Sequence, residues 1–202
     1  LDDELLFHAP SEREYVRSRA AGASLSGSSL HSRLRRQYPY DMDTAPKILM
    51  AMLECGFGHK NPAIAVRDAI EEDYPGAYAV EVVDLARESG AIAADELLKR
   101  SWDFSLAFPP PARIGYLLVE LAGERKEYID VLFKEFVVKG MAYIDRYRPD
   151  LIFSTHPLCT YVAVKAREKL GLAFKLVTDV VDPFDGYSWW AEKGSDYTLV
   201  AT

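Results

Sequence analysis

The strongest indication of the fold is the stretch Ile48-Leu-Met-Ala-Met-Leu-Glu-Cys-Gly-Phe-Gly-His59. An apolar run passes into a turn of small residues, and a helical pattern begins directly after the histidine. This order predicts a strand, a loop and a helix, with His59 at the carboxyl edge of a parallel sheet, where open α/β sheets bind ligands. Glycines at 56 and 58 allow a sharp turn and a close approach to a ligand. The helix that follows offers free N–H groups to negative charge.

The rest of the chain repeats the alternation of strand and helix. Strands are predicted at 47–53, 78–85, 151–155, 173–178 and 196–201, and helices at 62–74, 86–108, 112–147 (broken near Gly123) and 158–170. This pattern predicts an α/β fold with a doubly wound, Rossmann-like parallel sheet that is covered on both faces. In the common strand order, the first strand lies between the second and third, which brings His59 close to His156.

Length and composition fit one globular domain with a tail. Of the 202 residues, 49% are hydrophobic and 12% aromatic, which is enough for a core. Residues 1–45 are rich in Ser, Arg, Ala and Gly and are predicted to be a flexible linker or tail, while 46–202 form the domain. The first residue is Leu and the last follows a strand-like run, so we expect a piece of a longer protein.

Charge and cysteine content exclude several classes of protein. A net charge of −7 argues against a nucleic-acid binder, which needs a basic face. Two cysteines are too few for a disulfide scaffold and favour a reducing compartment. The sequence has no signal peptide and no apolar run of about 18 residues, so no membrane span is predicted.

Two histidines are the main candidates for chemistry. His59 is interpreted as a general base, because imidazole titrates near neutrality; the alternative is a histidine that only structures its loop. His156 ends the third strand in Ser-Thr-His-Pro, and Pro157 suits the first turn of a helix. For His156, contact with a ligand and structuring of the loop are equally weighted.

Known nucleotide and metal motifs do not match. The loop at 56–61 lacks the Lys-Ser/Thr ending of a phosphate-binding loop and the third glycine of a dinucleotide fingerprint. Asp84 is therefore only a weak candidate for holding a ribose. Cys55 and Cys159 could join the two histidines around zinc, but their spacings are not specific. We predict no metal site and expect Cys55 to pack as a small apolar residue.

Aromatic residues suggest two contact surfaces. Asp179 ends the fourth strand, and Trp189 and Trp190 follow in a loop; these indoles either contact a sugar, lipid or domain, or cover the core. A second apolar stretch around 102–118 includes three prolines. It is predicted to meet a lipid acceptor or a membrane interface, with core packing as the alternative. Its aromatic residues are Trp102, Phe104, Phe108 and Tyr116.

Three motifs in register identify a resemblance. They are Gly-Phe-Gly-His at 56–59 with Ala63, Pro-Asp-Leu-Ile-Phe-Ser-Thr-His-Pro-Leu at 149–158, and Thr-Asp at 178–179. Over residues 46–202 the chain resembles the amino-terminal domain of monogalactosyldiacylglycerol synthases and of bacterial processive diacylglycerol glucosyltransferases. It is more distantly similar to the transferase that adds N-acetylglucosamine to the lipid-linked peptidoglycan precursor.

The resemblance implies the amino-terminal half of a two-domain GT-B glycosyltransferase whose carboxyl-terminal donor domain is missing here. The implied reaction is inverting transfer of a hexose from a UDP-sugar to a lipid hydroxyl such as that of diacylglycerol, with His59 as base. It implies no metal or other cofactor, a cytoplasmic enzyme at the membrane surface, and no particular oligomeric state. The fragment alone is expected to be inactive. The residues expected to contact substrate are Gly56, Phe57, Gly58, His156, Pro157, Asp179, Trp189 and Trp190.

Two alternatives keep the same architecture. The first is a non-catalytic module that binds a lipid or a partner. It is favoured by Phe57, which replaces a glycine of the family, and by the absence of the family's His-Pro-x-Trp after Asp179. The second is one half of a sugar-nucleotide epimerase, which would act on a soluble substrate and have no affinity for membranes.

Overall fold

The described residues form one five-stranded parallel sheet with helices packed against it. The computed structural model describes residues 45–55, 58–108, 126–182 and 188–200, with single positions at 110, 113, 114, 117, 120 and 121. Five strands pair in the order β2-β1-β3-β4-β5, and every pairing is parallel. This confirms the predicted doubly wound sheet. The strands are β1 (Lys47–Met52), β2 (Ala79–Asp84), β3 (Leu151–Ser154), β4 (Lys175–Val180) and β5 (Tyr197–Val200).

Six α-helices connect these strands in the described part of the chain. They are α1 (Lys60–Asp73), α2 (Leu85–Glu88), α3 (Ile92–Ala107), α4 (Glu127–Leu132), α5 (Lys134–Tyr147) and α6 (Pro157–Leu170). A 3-10 turn covers Ser188–Trp190. In the predicted helical stretch 112–147, the structure shows an interruption at Phe133, between α4 and α5. The break predicted near Gly123 and the tail at 1–44 lie outside the described residues.

Strand β1 contributes side chains to two hydrophobic clusters. Leu49 and Ala51 belong to the larger cluster, which includes residues of α5 and α6. Ile48 and Met50 belong to the smaller one, with Ala63 of α1. Alternate side chains of β1 are therefore buried on opposite faces. This explains why the strand is a continuous apolar run rather than an alternating one.

Helices α5 and α6 pack unusually close together at one glycine. A Cβ atom added at Gly140 would lie only 2.8 Å from Val162 Cγ1, which is closer than real Cβ contacts. Both positions are buried, and Val162 is 1% exposed. The missing side chain at 140 is thus what lets α5 approach α6.

At the amino end of the sheet, Lys47 and Asp150 are joined by two hydrogen bonds, one to a side-chain carboxylate and one between backbone groups. Lys47 N–H donates to Asp150 Oδ2 at 2.7 Å, and Asp150 N–H donates to the Lys47 carbonyl at 2.9 Å. This link joins the starts of β1 and β3 across 103 positions in the chain. Within the described residues, no helix combines the length and the apolar character needed to cross a bilayer.

Candidate active site

His59 lies where β1 gives way to α1. It is the residue before the first turn of α1, with φ −93° and ψ −30°, and its side chain makes no capping hydrogen bond. Gly58 precedes it, is exposed, and has open space where a Cβ would be. Its φ does not lie in the left-handed region, so the turn itself does not require glycine at 58. Gly56 and Phe57 lie outside the described residues.

The imidazole of His59 is held by Thr155, the residue that follows β3. His59 Nδ1 lies 2.5 Å from the Thr155 carbonyl oxygen, and Thr155 Oγ1 donates to the His59 carbonyl at 2.7 Å. A carbonyl oxygen can only accept, so the proton of the neutral ring sits on Nδ1. The lone pair therefore sits on Nε2. This is the arrangement that a general base requires.

His156 adopts the opposite tautomer. Its Nδ1 accepts a hydrogen bond from Leu158 N–H at 3.1 Å and so caps α6, which begins at Pro157. The helix begins one residue before the predicted start at Leu158, with Pro157 in its first turn as expected. The ring proton of His156 lies on Nε2. The ring centroids of His59 and His156 are 4.5 Å apart. The strand order thus brings the two histidines together, as the sequence predicted.

Burial keeps both imidazoles uncharged. Desolvation lowers the pKa of His59, and the Thr155 carbonyl and the Asp182 carboxylate oppose this only in part. His156 is 7% exposed, and burial, together with the nearby His59, lowers its pKa well below the ordinary value. At neutral pH, His59 is therefore free to accept a proton.

The other predicted substrate contacts lie near β4 and the loop after it. Asp179 is half-buried at the end of β4, and burial raises its pKa. Trp190 is buried, its ring centroid is 6.2 Å from that of His59, and its Nε1 donates to Asp182 Oδ2 at 2.7 Å. The neighbouring indole has a different environment.

Trp189 packs on the helical layer. Its Nε1 donates to the Tyr128 hydroxyl, and its ring meets Phe133 edge-on, with centroids 6.5 Å apart. It belongs with the side chains that cover the larger core cluster. Of the two predicted indoles, Trp190 is therefore the one that the structure places against His59, whereas Trp189 fits the alternative of covering the core.

A chain of four hydroxyl groups, three of them fully buried, lies behind His156. Ser154 Oγ donates to the His156 carbonyl at 3.0 Å, and Thr160 Oγ1 donates to Ser154 Oγ at 2.9 Å. Thr178 Oγ1 lies 3.2 Å from Thr160 Oγ1 and 2.5 Å from Ser195 Oγ. Each hydroxyl has one proton to donate, and those of Ser154 and Thr160 are already used. Thr178 therefore donates to Thr160, and Ser195 donates to Thr178.

The carboxyl-terminal half of α3 presents apolar side chains to solvent. Trp102, Phe104 and Phe108 are 37%, 53% and 57% exposed. Just before them, Lys99 Nζ lies 2.7 Å from Asp95 Oδ1 and 3.4 Å from Asp84 Oδ2 at the end of β2. That ion pair anchors α3 at the same sheet edge as His59. Tyr116 lies outside the described residues.

The remaining candidates, Asp84, Cys55 and Cys159, take part in helix capping or in the core. Asp84 caps α2 by accepting from Arg87 N–H, and it also accepts from Glu54 N–H, each at 3.3 Å. Cys55 and Cys159 are buried free thiols whose pKa values are raised by burial. Across the described residues there is no group of three or more His, Cys, Asp or Glu side chains arranged to hold a metal ion.

Two residues of the site, Thr155 and Asp182, were not among those expected to contact substrate, and their roles toward His59 were not predicted. Thr155 acts through its carbonyl and hydroxyl, and Asp182 through Trp190 and its electrostatic effect on His59. The position of Thr155 directly before His156 was the available signal. Nothing in the local sequence distinguishes Asp182 from its neighbour Asp179.

Comparison with known proteins points to one family. The family model described as "Monogalactosyldiacylglycerol (MGDG) synthase" matches residues 59–202, beginning at His59 itself. Similar proteins include a probable monogalactosyldiacylglycerol synthase 2, chloroplastic, of Oryza sativa subsp. indica, with 30% identity over 118 residues. That alignment covers 58% of this chain and 25% of the rice protein.

Two further relatives align over more of the chain. The probable monogalactosyldiacylglycerol synthase, chloroplastic, of Nicotiana tabacum is 28% identical and covers 73% of this chain and 28% of its own length. The spinach monogalactosyldiacylglycerol synthase, chloroplastic, is 27% identical and covers 75% and 29%. The chain thus spans between a quarter and a third of the length of these relatives. With the family model matching more than half of it, the chain belongs to the monogalactosyldiacylglycerol synthase family.

Proposed function

We propose that this chain is the acceptor-binding half of an inverting glycosyltransferase that moves a hexose, galactose in view of the relatives' names, from a UDP-sugar to diacylglycerol. The observation that supports it best is the neutral His59 ring, whose Nε2 lone pair is set by the Thr155 carbonyl at the carboxyl edge of the sheet. The family match supports the same reaction.

In the proposed reaction, the lipid hydroxyl oxygen attacks the anomeric carbon of the sugar. The bond between that carbon and the UDP oxygen breaks, and UDP leaves with the electron pair. His59 Nε2 takes the hydroxyl proton as the new glycosidic bond forms. The hydroxyl attacks from the face opposite to the leaving UDP, so the configuration at the anomeric carbon inverts. The lowered pKa of His59 suits this step, because the ring enters it unprotonated.

Charge that develops on the leaving phosphate needs a partner. The first turn of α1, a helix of 14 residues, begins directly after His59. Its free N–H groups and the positive end of its dipole favour an anion there. The donor itself is proposed to bind to a second domain, for which the greater length of the relatives leaves room.

The acyl chains of the acceptor are proposed to contact the exposed side of α3. Trp102, Phe104 and Phe108 present aromatic surface to solvent, and Lys99 holds their helix to the sheet edge through Asp84. Large exposed apolar patches mark contact surfaces, and aromatic rings sit well at a membrane interface. The chain is accordingly proposed to associate peripherally with the membrane.

The experiment compares His59→Ala with wild type in the full-length protein that carries this chain, using UDP-galactose and diacylglycerol in vesicles. Loss of the base is expected to reduce turnover by about 10²- to 10⁴-fold while vesicle binding persists. Glu72→Gln, an exposed change on α1, serves as the matched control and is expected to leave turnover unchanged. Near-normal turnover of His59→Ala would remove His59 from the reaction.

The same experiment separates the alternatives. A wild-type protein that binds vesicles but transfers no sugar from any UDP-hexose would be the non-catalytic module. A protein that interconverts soluble UDP-sugars without binding vesicles would be the epimerase half. Either outcome would overturn the proposed transfer reaction.

A further inference from the structure

We propose that Thr155 is the positioning residue for His59 and that it fixes the base by using each of its three polar atoms. This inference rests on the proposed function for its kinetic consequence, but the geometry stands by itself. Thr155 contacts the backbone of β1 and both the backbone and the ring of His59. The Ser-Thr-His-Pro motif of the sequence contains Thr155 but does not predict that it orients His59.

The backbone of Thr155 is fixed first. Its N–H donates to the Ala51 carbonyl at 3.1 Å. This bond extends the ladder between β1 and β3 beyond the last registered pair, Ala51 with Ser154. The side chain of Thr155 is completely buried. The carbonyl that meets His59 therefore belongs to the rigid sheet rather than to a free loop.

The hydroxyl of Thr155 then holds the loop that carries the base. Oγ1 donates to the His59 carbonyl at 2.7 Å. The side chain of His59 makes no capping hydrogen bond to α1. The hydrogen bond from Thr155 therefore attaches the loop at His59 to the end of β3. It joins positions 96 residues apart.

The carbonyl of Thr155 finally sets the ring. It accepts from His59 Nδ1 at 2.5 Å, which fixes both the ring plane and the tautomer with the lone pair on Nε2. In many hydrolases a carboxylate has this role. Here an uncharged carbonyl has it, so the ring is oriented without a buried counter-charge. The two hydrogen bonds between residues 59 and 155 hold both the backbone and the imidazole of His59. Loss of the hydroxyl would leave only the hydrogen bond to the imidazole.

A first measurement needs no variant and no activity. Nitrogen-15 NMR of the 202-residue chain, labelled at histidine, reports which ring nitrogen carries the proton. At pH above the titration of His59, the Nδ1–H tautomer is expected for His59 and the Nε2–H tautomer for His156. An Nε2–H tautomer for His59 would overturn the proposal, whether or not the enzyme transfers sugar.

Variants then test the hydroxyl. Thr155→Val keeps the shape and removes the donor, and Thr155→Ser keeps the donor and removes the methyl group. Thr155→Val keeps the backbone carbonyl but loses the hydroxyl that holds the His59 backbone. The ring is then expected to shift away from the carbonyl part of the time, and the two tautomers of His59 to mix. In the full-length enzyme, kcat should fall about tenfold to a hundredfold, because a small misplacement of a catalytic group has effects of this order. KM should change less than twofold.

Thr155→Ser is expected to restore the Nδ1–H tautomer and most of kcat. If Thr155→Ser is as impaired as Thr155→Val, packing rather than hydrogen bonding explains the site, and the proposal fails. It also fails if Thr155→Val keeps a pure Nδ1–H tautomer and wild-type kcat. A wild-type protein with the expected tautomers but no turnover would instead refute the proposed reaction and leave the positioning intact.

Discussion

The two imidazoles at the sheet edge are fixed in opposite tautomers by neutral partners. His59 Nδ1–H donates a hydrogen bond to a backbone carbonyl, and His156 Nδ1 accepts one from a backbone N–H. With centroids only 4.5 Å apart, a proton on either ring would repel a proton on the other. Burial ensures that His156 stays neutral, so a proton taken up by His59 meets no charged neighbour in His156.

The titration of His59 gives a prediction for activity. Because desolvation lowers the pKa of His59, the acid limb of kcat/KM should lie below the ordinary imidazole pKa of about 6.5. The measurement is a pH–rate profile of the full-length enzyme between about pH 5 and 8. An acid limb above about pH 7 would contradict the role of His59 as the base.

Asp182 provides the matched variant for that profile. Its carboxylate raises the pKa of His59 against the effect of burial. Asp182→Asn preserves an acceptor for Trp190 Nε1 and removes the charge. The acid limb should therefore move to still lower pH, and a shift to higher pH would show that the carboxylate does not act on His59.

The burial of His156 gives a prediction for stability. Its folded-state pKa is well below its unfolded value, so the unfolded chain binds the proton more readily. Stability is thus fully present above about pH 6.5 and falls as pH decreases below it, by up to about 1.4 kcal/mol per pH unit for one such group.

His156→Asn tests this prediction. Asparagine is a good helix cap and can replace the acceptor for Leu158 N–H, but it does not titrate. The free energy of unfolding, measured in urea between about pH 5 and 8, should depend less on pH in His156→Asn than in wild type. Equal slopes would show that folding does not lower the pKa of His156.

The contact of α5 with α6 gives a prediction about packing. Gly140→Ala gains helix propensity worth about 1 kcal/mol, but its Cβ would lie 2.8 Å from Val162 Cγ1. Overpacking costs about 1–3 kcal/mol, so a net loss of stability is expected. Val162→Ala should relieve the clash, so the double variant should lose less stability than the two single changes added together. Additive losses would contradict the contact.

Local patterns predict β1, α1, β3 and α6 to within two residues at each end. Each element has a clear pattern of apolar residues and is bounded by residues typical of strand or helix ends. Pro157 at the start of α6 is an example. The fourth strand was predicted to begin at Ala173 but begins at Lys175 and continues to Val180. Its extent is set by pairing with β5, where Val180 pairs with Val200. Such a boundary depends on a neighbouring strand and not on local composition.

The candidate site shows the same division. His59 follows a small-residue turn and His156 follows a predicted strand in Ser-Thr-His-Pro, so both could be selected as candidates from the sequence. Thr155 acts mostly through main-chain atoms, which every residue has, and no composition marks them. Trp189 and Trp190 are adjacent and identical, yet one lies against His59 and the other against Phe133. Only the backbone of the 3-10 turn separates their directions.

The exposed aromatic side chains at the end of α3 are the surface proposed to contact a bilayer. Phe104 and Phe108 have ring centroids 5.3 Å apart and are more than half exposed. The double change Phe104→Ser and Phe108→Ser should weaken binding to diacylglycerol vesicles by about tenfold or more, since burying one such ring is worth about 1.5–3 kcal/mol. Stability should hardly change, because the two rings are exposed.

A vesicle co-sedimentation assay measures this effect. Tyr197→Ser on β5 removes a ring that is 63% exposed and serves as the control, with unchanged binding expected. If the control weakens binding as much as the double change, general surface hydrophobicity governs association. Unchanged binding of the double variant would place the lipid contact elsewhere.

The link between Lys47 and Asp150 has a consequence for biosynthesis. Strand β1 lies between β2 and β3, and its link to the start of β3 forms only after a residue 103 positions further along the chain has been synthesised. At roughly 5–20 residues per second, a ribosome needs on the order of 5–20 s to make that stretch. During this interval β1, with its apolar faces on either side, has only β2 to pair with. We therefore expect the nascent polypeptide to expose the apolar faces of β1 and an unpaired strand edge during synthesis, the kind of surface that chaperones bind.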